Sequence, residues 1–194
     1  MRKLLLPVAL LAFATPVLAA PVEVTRFHTP ESISALGRGA VAVVLPQGED
    51  PASLESRVWL EAVQRELATL GFGGATPGAA DRIAEVRVDR HTERSEGRRG
   101  PVSVGVGGST GGWHSGVGLG VGFNLGGGPK ERVYTRLSVT IRDRVTGQSL
   151  WEARAENVEK AKSPAAGVDV AAPRMAKALF AGFPGTSGAT ITVK

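Results

Sequence analysis

Apolar and polar residues alternate most regularly between Val133 and Ile141. Val133, Thr135, Leu137, Val139 and Ile141 share one parity, and Tyr134, Arg136, Ser138, Thr140 and Arg142 share the other. A period of two sends the first set to one face of a strand. Asp143 to Gly147 is turn chemistry, with Gly147 available for positive φ. From Leu150 to Glu156 the alternation resumes, with Trp151, Ala153 and Ala155 opposite Glu152, Arg154 and Glu156, which predicts an antiparallel hairpin. Ala84, Val86 and Val88 alternate with Glu85, Arg87 and Asp89 in a half-buried strand. Val22 to Phe27 alternates Val22, Val24 and Arg26 against Glu23, Thr25 and Phe27. Ala40 to Leu45 is a continuous apolar run between Gly39 and Pro46, the pattern of a strand buried on both faces. Ala189 to Val193 offers a last strand. Arg90 to Gly100 is charged, has no apolar period and reads as a loop.

Two segments change period. Leu60, Val63, Leu67 and Leu70 recur at helical spacing with Trp59 beside them; Asp50-Pro51 supplies an N-cap and first-turn proline, and Gly71 a C-terminal stop. Near Pro173, Ala176, Leu179, Phe180 and Phe183 fall at i, i+3, i+4 and i+7, and Phe183-Pro184-Gly185 ends that helix. The order predicts an α+β, two-layer domain: a mostly antiparallel sheet with two helices on one face and a Gly-rich hairpin or loop. Leu137, Val139, Ile141 and Trp151 are expected to pack against Val63, Leu67, Leu179 and Phe183.

The Gly-rich segment is residues 100–128, which hold 13 of the 26 glycines. Val117, Leu119, Val121, Phe123 and Leu125 alternate with Gly116, Gly118, Gly120, Gly122 and Asn124. Such a strand would have one apolar face and one of nearly bare backbone, with little intrinsic rigidity. A projecting hairpin or loop, a packed strand pair and an element that inserts into a membrane or partner all fit. The expectation is a segment that orders on meeting a partner. Neither a G-x-G-x-x-G spacing nor a Gly-Lys-Ser/Thr occurs, so no phosphate-binding loop is read.

At the N-terminus, Arg2 and Lys3 precede an apolar run from Leu4 to Ala14, and Val17-Leu18-Ala19 has the residues read at a cleavage site. Residues 1–19 have the layout of a secretory signal peptide, and their apolar run falls short of the roughly 20 residues of a membrane span. Cleavage is expected after Ala19, leaving residues 20–194 as a single α+β domain. The chain has no Cys. It therefore has no disulfide, no thiol nucleophile and no lipid-bearing Cys. The expected location is periplasmic, without a lipid anchor. Arg2 and Lys3 account for two of the 23 basic residues; the remaining 21 against 18 acidic give a net +3, too mild to argue for nucleic acid.

No catalytic, cofactor-binding or metal residues are assigned. His28, His91 and His114 lie in three separate segments, none at metal-ligand spacing. Glu93 and Glu96 sit among Arg94, Arg98 and Arg99, as a solvated face does. Arg87, Asp89, Arg136, Arg142, Glu152 and Arg154 point outward and suggest exposed cross-strand ion pairs, each worth about 0–1 kcal/mol. Trp113-His114 is a candidate contact point at the tip of the glycine segment.

In order along the chain come Val24-Thr25-Arg26-Phe27-His28, Leu70-Gly71-Phe72, Ala80-Asp81-Arg82-Ile83-Ala84-Glu85-Val86, the Gly-rich stretch, Asp143-Arg144-Val145-Thr146-Gly147-Gln148-Ser149-Leu150-Trp151, and Phe183-Pro184. Together they resemble the family catalogued as domain of unknown function 4136, whose members look like exported bacterial envelope proteins, many of them lipoproteins. This chain has Ala20 where many relatives carry the lipid-bearing Cys. The resemblance implies no activity and no cofactor. The expectation is an exported, non-enzymatic binding or structural module of the cell envelope, whose partner is an envelope protein or a membrane surface, with no nucleic acid and no identifiable small-molecule ligand. Two alternatives stay open: a periplasmic hydrolase without a recognisable motif, and a membrane-associating structural protein using the Gly-rich segment.

Overall fold

Seven strands form one mixed sheet in the order β3-β2-β4-β5-β6-β1-β7 in the computed structural model, which describes residues 19–95 and 130–194. The strands are β1 (Val22–Phe27), β2 (Ala40–Val44), β3 (Gly73–Gly74), β4 (Arg82–Ser95), β5 (Lys130–Asp143), β6 (Ser149–Lys160) and β7 (Thr190–Val193); the helices are α1 (Pro30–Leu36), α2 (Leu54–Thr69) and α3 (Val168–Phe180). The fold is α+β and the sheet mostly antiparallel. Only β2 runs parallel to its neighbours β3 and β4, because α2 carries the chain across in a βαβ unit.

The hairpin reading holds. β5 and β6 pair antiparallel with Leu137 opposite Ala155 and Val139 opposite Ala153. The register slips after Ile141, where Leu150 is an extra residue, and both Leu150 and Trp151 are buried. Leu137, Val139, Ile141 and Trp151 are fully buried in one cluster with Val63, Leu67 and Leu179. These residues share one core with apolar residues of α2 and α3, which also pack on each other.

Four expectations need correction. First, α2 is capped at Ser53, not Asp50; the Asp50 carboxylate accepts from the Ala52 N–H at 2.9 Å in a turn before the helix. Second, α3 ends at Phe180, ahead of Phe183. Gly182 turns the chain at φ 69°, and Phe183 returns to pack on Trp151. Third, Arg90 to Ser95 is not loop. It continues β4 and pairs with Lys130 to Thr135 through the last rung, Ser95 opposite Lys130. Its charges hid it: both faces of this part of the strand are solvated, so no apolar period exists to read. Fourth, the described residues form three α-helices, not two. α1 was not anticipated, because seven residues are too few to show a period. Its start is a reciprocal cap, with the Thr29 hydroxyl accepting from the Ser32 N–H and the Ser32 hydroxyl from the Thr29 N–H.

The end of α2 is as expected. Gly71 takes φ 88°, its N–H donates to Ala68 O, and the Phe72 N–H reaches back to Leu67 O. Those two bonds satisfy carbonyls that the helix leaves open, and they bury Phe72 beside the last turn. The Gly-rich segment, with Trp113 and His114, lies outside the described residues, as do residues 1–18.

The β5–β6 turn ties down one carboxylate. Asp143 accepts from the Thr146 N–H, the Val145 N–H, the Thr146 hydroxyl and the Arg82 guanidinium, at 2.9 to 3.2 Å. The Thr146 N–H, with the Val145 N–H, the Thr146 hydroxyl and Arg82, holds this carboxyl below the usual aspartate range. A depressed folded pKa contributes stability above the unfolded value near pH 4, lost as pH falls through the folded one. Asp143→Asn is therefore expected to flatten the acid limb of the stability–pH profile below about pH 4, read by urea midpoints at each pH.

Candidate functional site

Polar residues on the inward face of the sheet sort into centres that share one chemistry. Arg26 continues the inward parity of Val22 and Val24 and is 3% exposed. It has no carboxylate within reach among the described residues. Its guanidinium instead donates to Leu179 O at 3.1 Å, Ala178 O at 3.2 Å and Ala181 O at 2.7 Å, carbonyls at the end of α3, of which Ala178 O also accepts from the Ala181 N–H. The negative end of the helix dipole faces the cation. Burial holds Arg26 below the ordinary arginine value.

The same use recurs. Arg82 donates to Ala35 O and Leu36 O, closing the end of α1. Arg90 spans Thr135 Oγ1, Glu55 and Ala166 O, tying β4 to β5, α2 and the turn before α3. Arg144 donates to Ala80 O at 2.6 Å. Arg174 reaches both Glu159 Oε1 at 2.9 Å and Ala20 O at 3.0 Å. A planar fork with five donors suits this bridging of carbonyls better than a lysine would. Much of the basic excess is thus committed to the fold's own backbone.

The sequence candidates stay apart. His28 shares a hydrogen bond at 3.0 Å with Gly185 O. His91 lies exposed on the other face, stacked on Tyr134 with centroids 5.1 Å apart and 3.3 Å from Glu93. His114 and Glu96 lie outside the described residues. Among the described residues, no three His, Cys, Asp or Glu come together in a way that could hold a metal. On the outward face Arg136 pairs with Glu156 at 2.8 Å and Arg142 with Glu85, whereas Asp89, Glu152 and Arg154 make no ion pair among the described residues.

One of the sheet's open edges lies beside a groove. β3 supplies only Gly73 and Gly74, opposite Ala40 and Val41. Val41 O accepts from the Ala75 N–H on that side. By strand alternation the N–H and C=O of Val43 point the same way, past the end of β3. Beside them an open groove of about 490 Å³ runs between β2 and α2, lined by Val43, Leu60, Gln64 and Ala68 with Glu61 and Arg65. An unpaired strand edge beside an apolar groove is the geometry that accepts an extended peptide as an added strand. The sequence reading missed this site. Its signals were the run of apolar residues in β2 and the two glycines of β3, too short to cover it.

A family model described as Domain of unknown function (DUF4136) matches residues 34–185. An uncharacterized protein of Zymomonas mobilis subsp. mobilis is 35% identical over 80 residues, 40% of this chain; the match spans only 30% of that curated relative's length. Among solved structures, the PelC dodecamer from Paraburkholderia phytofirmans matches with a TM-score of 0.44 and 17% identity, over 82% of this chain and 94% of that one. A PDZ domain protein from Parabacteroides distasonis matches with a TM-score of 0.48 and 10% identity, over 90% of this chain and 39% of that one.

Proposed function

The chain belongs to the DUF4136 family, and from that premise we propose that it is an exported periplasmic protein that binds another envelope component and catalyses no reaction. Residues 1–19 support export through their charge, apolar run and cleavage residues. The observation that carries the binding reading is the open β2 edge beside its groove. The groups that bear chemistry elsewhere in the described fold, Arg26, Arg82, Arg90, Arg174 and Asp143, are engaged with backbone or with one another. The ligand is an extended segment of an envelope protein. It would pair its backbone with Val43 and lay alternate side chains against Leu60 and Ala68, with Glu61 and Arg65 at the rim.

Val43→Pro provides the test. The Val43 N–H points away from β4, so proline removes the docking donor and leaves the β2–β4 ladder intact. A photo-crosslinker at Gln64 in whole cells is expected to trap one defined envelope protein, lost in Val43→Pro and in Leu60→Glu while the fold is kept. Intact mass of the exported protein is expected to begin at Ala20. Unchanged crosslinking in both variants would overturn the edge as the binding site, and retention of residues 1–19 would overturn export as a cleaved protein.

A further inference from the structure

Glu159 is an acid on the inward face of the sheet. It continues the parity of Trp151, Ala153 and Ala155, is 6% exposed, and sits opposite α3. Its Oε1 accepts from Arg174 Nη1 at 2.9 Å and from the backbone N–H of Ala20 at 2.8 Å. The Ala20 carbonyl accepts from Arg174 Nη2 at 3.0 Å and from Asn157 Nδ2 at 3.1 Å, and Asn157 Nδ2 also reaches Pro21 O at 2.9 Å. Asn157 is itself 4% exposed. Three side chains from β6 and α3, two of them almost wholly buried, therefore converge on the backbone of one alanine that precedes the first strand. Nothing in the sheet requires this. Ala20 lies outside β1, and the ladder between β1 and β6 begins at Glu23 opposite Glu156.

We propose that Asn157, Glu159 and Arg174 form a binding site for the chain's own α-amino group, filled when cleavage after Ala19 makes Ala20 the first residue. The proposal rests on the reading of residues 1–19 as a cleaved leader. Before the cut, the atom facing Glu159 is the nitrogen of a neutral amide with one N–H. After the cut it is an ammonium with three donors and a full charge, against a carboxylate shielded from water. A charge-assisted bond replaces a neutral one. Arg174 is like-charged, but its planar fork is already turned onto Glu159 Oε1 and Ala20 O, and a carboxylate has acceptor sites for both cations. The site also registers where the cut falls. One residue later, Ala20 is gone, and with it the carbonyl that Asn157 and Arg174 hold. One residue earlier, Glu159 keeps only an amide.

Three forms of the chain without its leader, two of residues 20–194 and one of residues 19–194, separate the alternatives; each contains every described element. One starts at Ala20 with a free amine, released from a cleavable fusion. One is the same chain acetylated at that amine. One retains Ala19. Acetylation removes the charge and leaves one N–H of three, as in the uncut chain, so no substitution threatens the fold. The unfolding equilibrium constant of the free-amine form is expected to be roughly tenfold smaller than that of the other two at pH 7, the usual difference between a charged and a neutral hydrogen bond. The charged groups facing the amine are Glu159 from β6 and Arg174 from α3. Pairing with Glu159 raises the amine's pKa above its unfolded value near 8. While Glu159 is ionised, the advantage is therefore full up to about pH 8 and fades as the pH rises through the folded value. Glu159→Gln is expected to erase it. Equal stability of the free and acetylated forms at pH 7 would overturn the site. Because each form's first residue is set in vitro, that result is distinct from a cell that cuts elsewhere, which intact mass reports.

Discussion

Replacing Trp151 with alanine is expected to cost about 3–5 kcal/mol, the range for deleting a buried aromatic side chain. The indole is fully buried. It stacks on Phe180 at 5.3 Å with planes 14° apart, leans on Phe183 at 5.1 Å, and donates from Nε1 to Pro184 O at 3.0 Å. It is thereby the common neighbour of β6, the end of α3 and the turn after it. Trp59 is a control within the same molecule. It is 1% exposed, but its Nε1 has no partner among the described residues. Trp→Phe at position 151 forfeits a hydrogen bond worth about 1 kcal/mol, whereas at position 59 it relieves a buried donor of its desolvation cost. Urea titration is expected to rank Trp151→Ala well above Trp151→Phe, and Trp151→Phe above Trp59→Phe. The reverse order at the two phenylalanine variants would show that the Pro184 contact is not formed.

Arg26→Met is expected to be comparably damaging. Methionine fills much of the volume but takes the Arg26 donors from Leu179 O and Ala181 O and leaves Ala178 O only the Ala181 N–H, at about 1–3 kcal/mol for a buried carbonyl left unpaired. Arg26→Lys restores charge without the fork and is expected to recover only part of the loss. Gly185 reports on the same contact. It sits at φ 82°, and a Cβ built there would lie 2.7 Å from both Arg26 Cδ and Nη1. Gly185→Ala therefore combines backbone strain with a clash against the guanidinium. In Arg26→Met the clash with Nη1 is gone, so the double variant is expected to be less destabilised than the two single losses added together. Strict additivity in a double-mutant cycle would mean that the two residues do not touch.

The β5–β6 hairpin, the middle of β4 and the Gly71 stop were legible because each combines a period with its own punctuation. The polar centres were legible only in parity. Arg26 shares the parity of Val22 and Val24, while Asn157 and Glu159 extend that of Trp151, Ala153 and Ala155. A polar residue on an apolar parity is either the end of a strand or a buried group with a partner, and for Arg26 and Asn157 the partner lies more than a hundred residues away in the chain, while Glu159 adds to Arg174 nearby a backbone N–H as remote as theirs. Arg26 finds carbonyls of α3; Glu159 finds Ala20. Neither carbonyls nor backbone N–H groups have a sequence signature, so a fold that employs arginines on its own backbone conceals its polar contacts from any search for pairs of side chains. The open edge of β2 was hidden differently: it depends on β3 being only two residues long, a length that no periodicity can register.

The position of β1 fixes when the sheet can be finished. β1 is the first strand made, yet it lies between β6 and β7, the last two, with Phe27 opposite Glu152 and Val22 opposite Val193. At ordinary rates of synthesis the chain from Phe27 to Glu152 takes about 6–25 s to appear. Through that interval β1 has no partner in the sheet, and its closing contacts are among the most distant in sequence that the chain makes. Folding of this kind is slow and late. A sheet whose first described strand must wait for its last ones is completed only after β6 and β7 have been made, so its two halves are joined at the end rather than at the start.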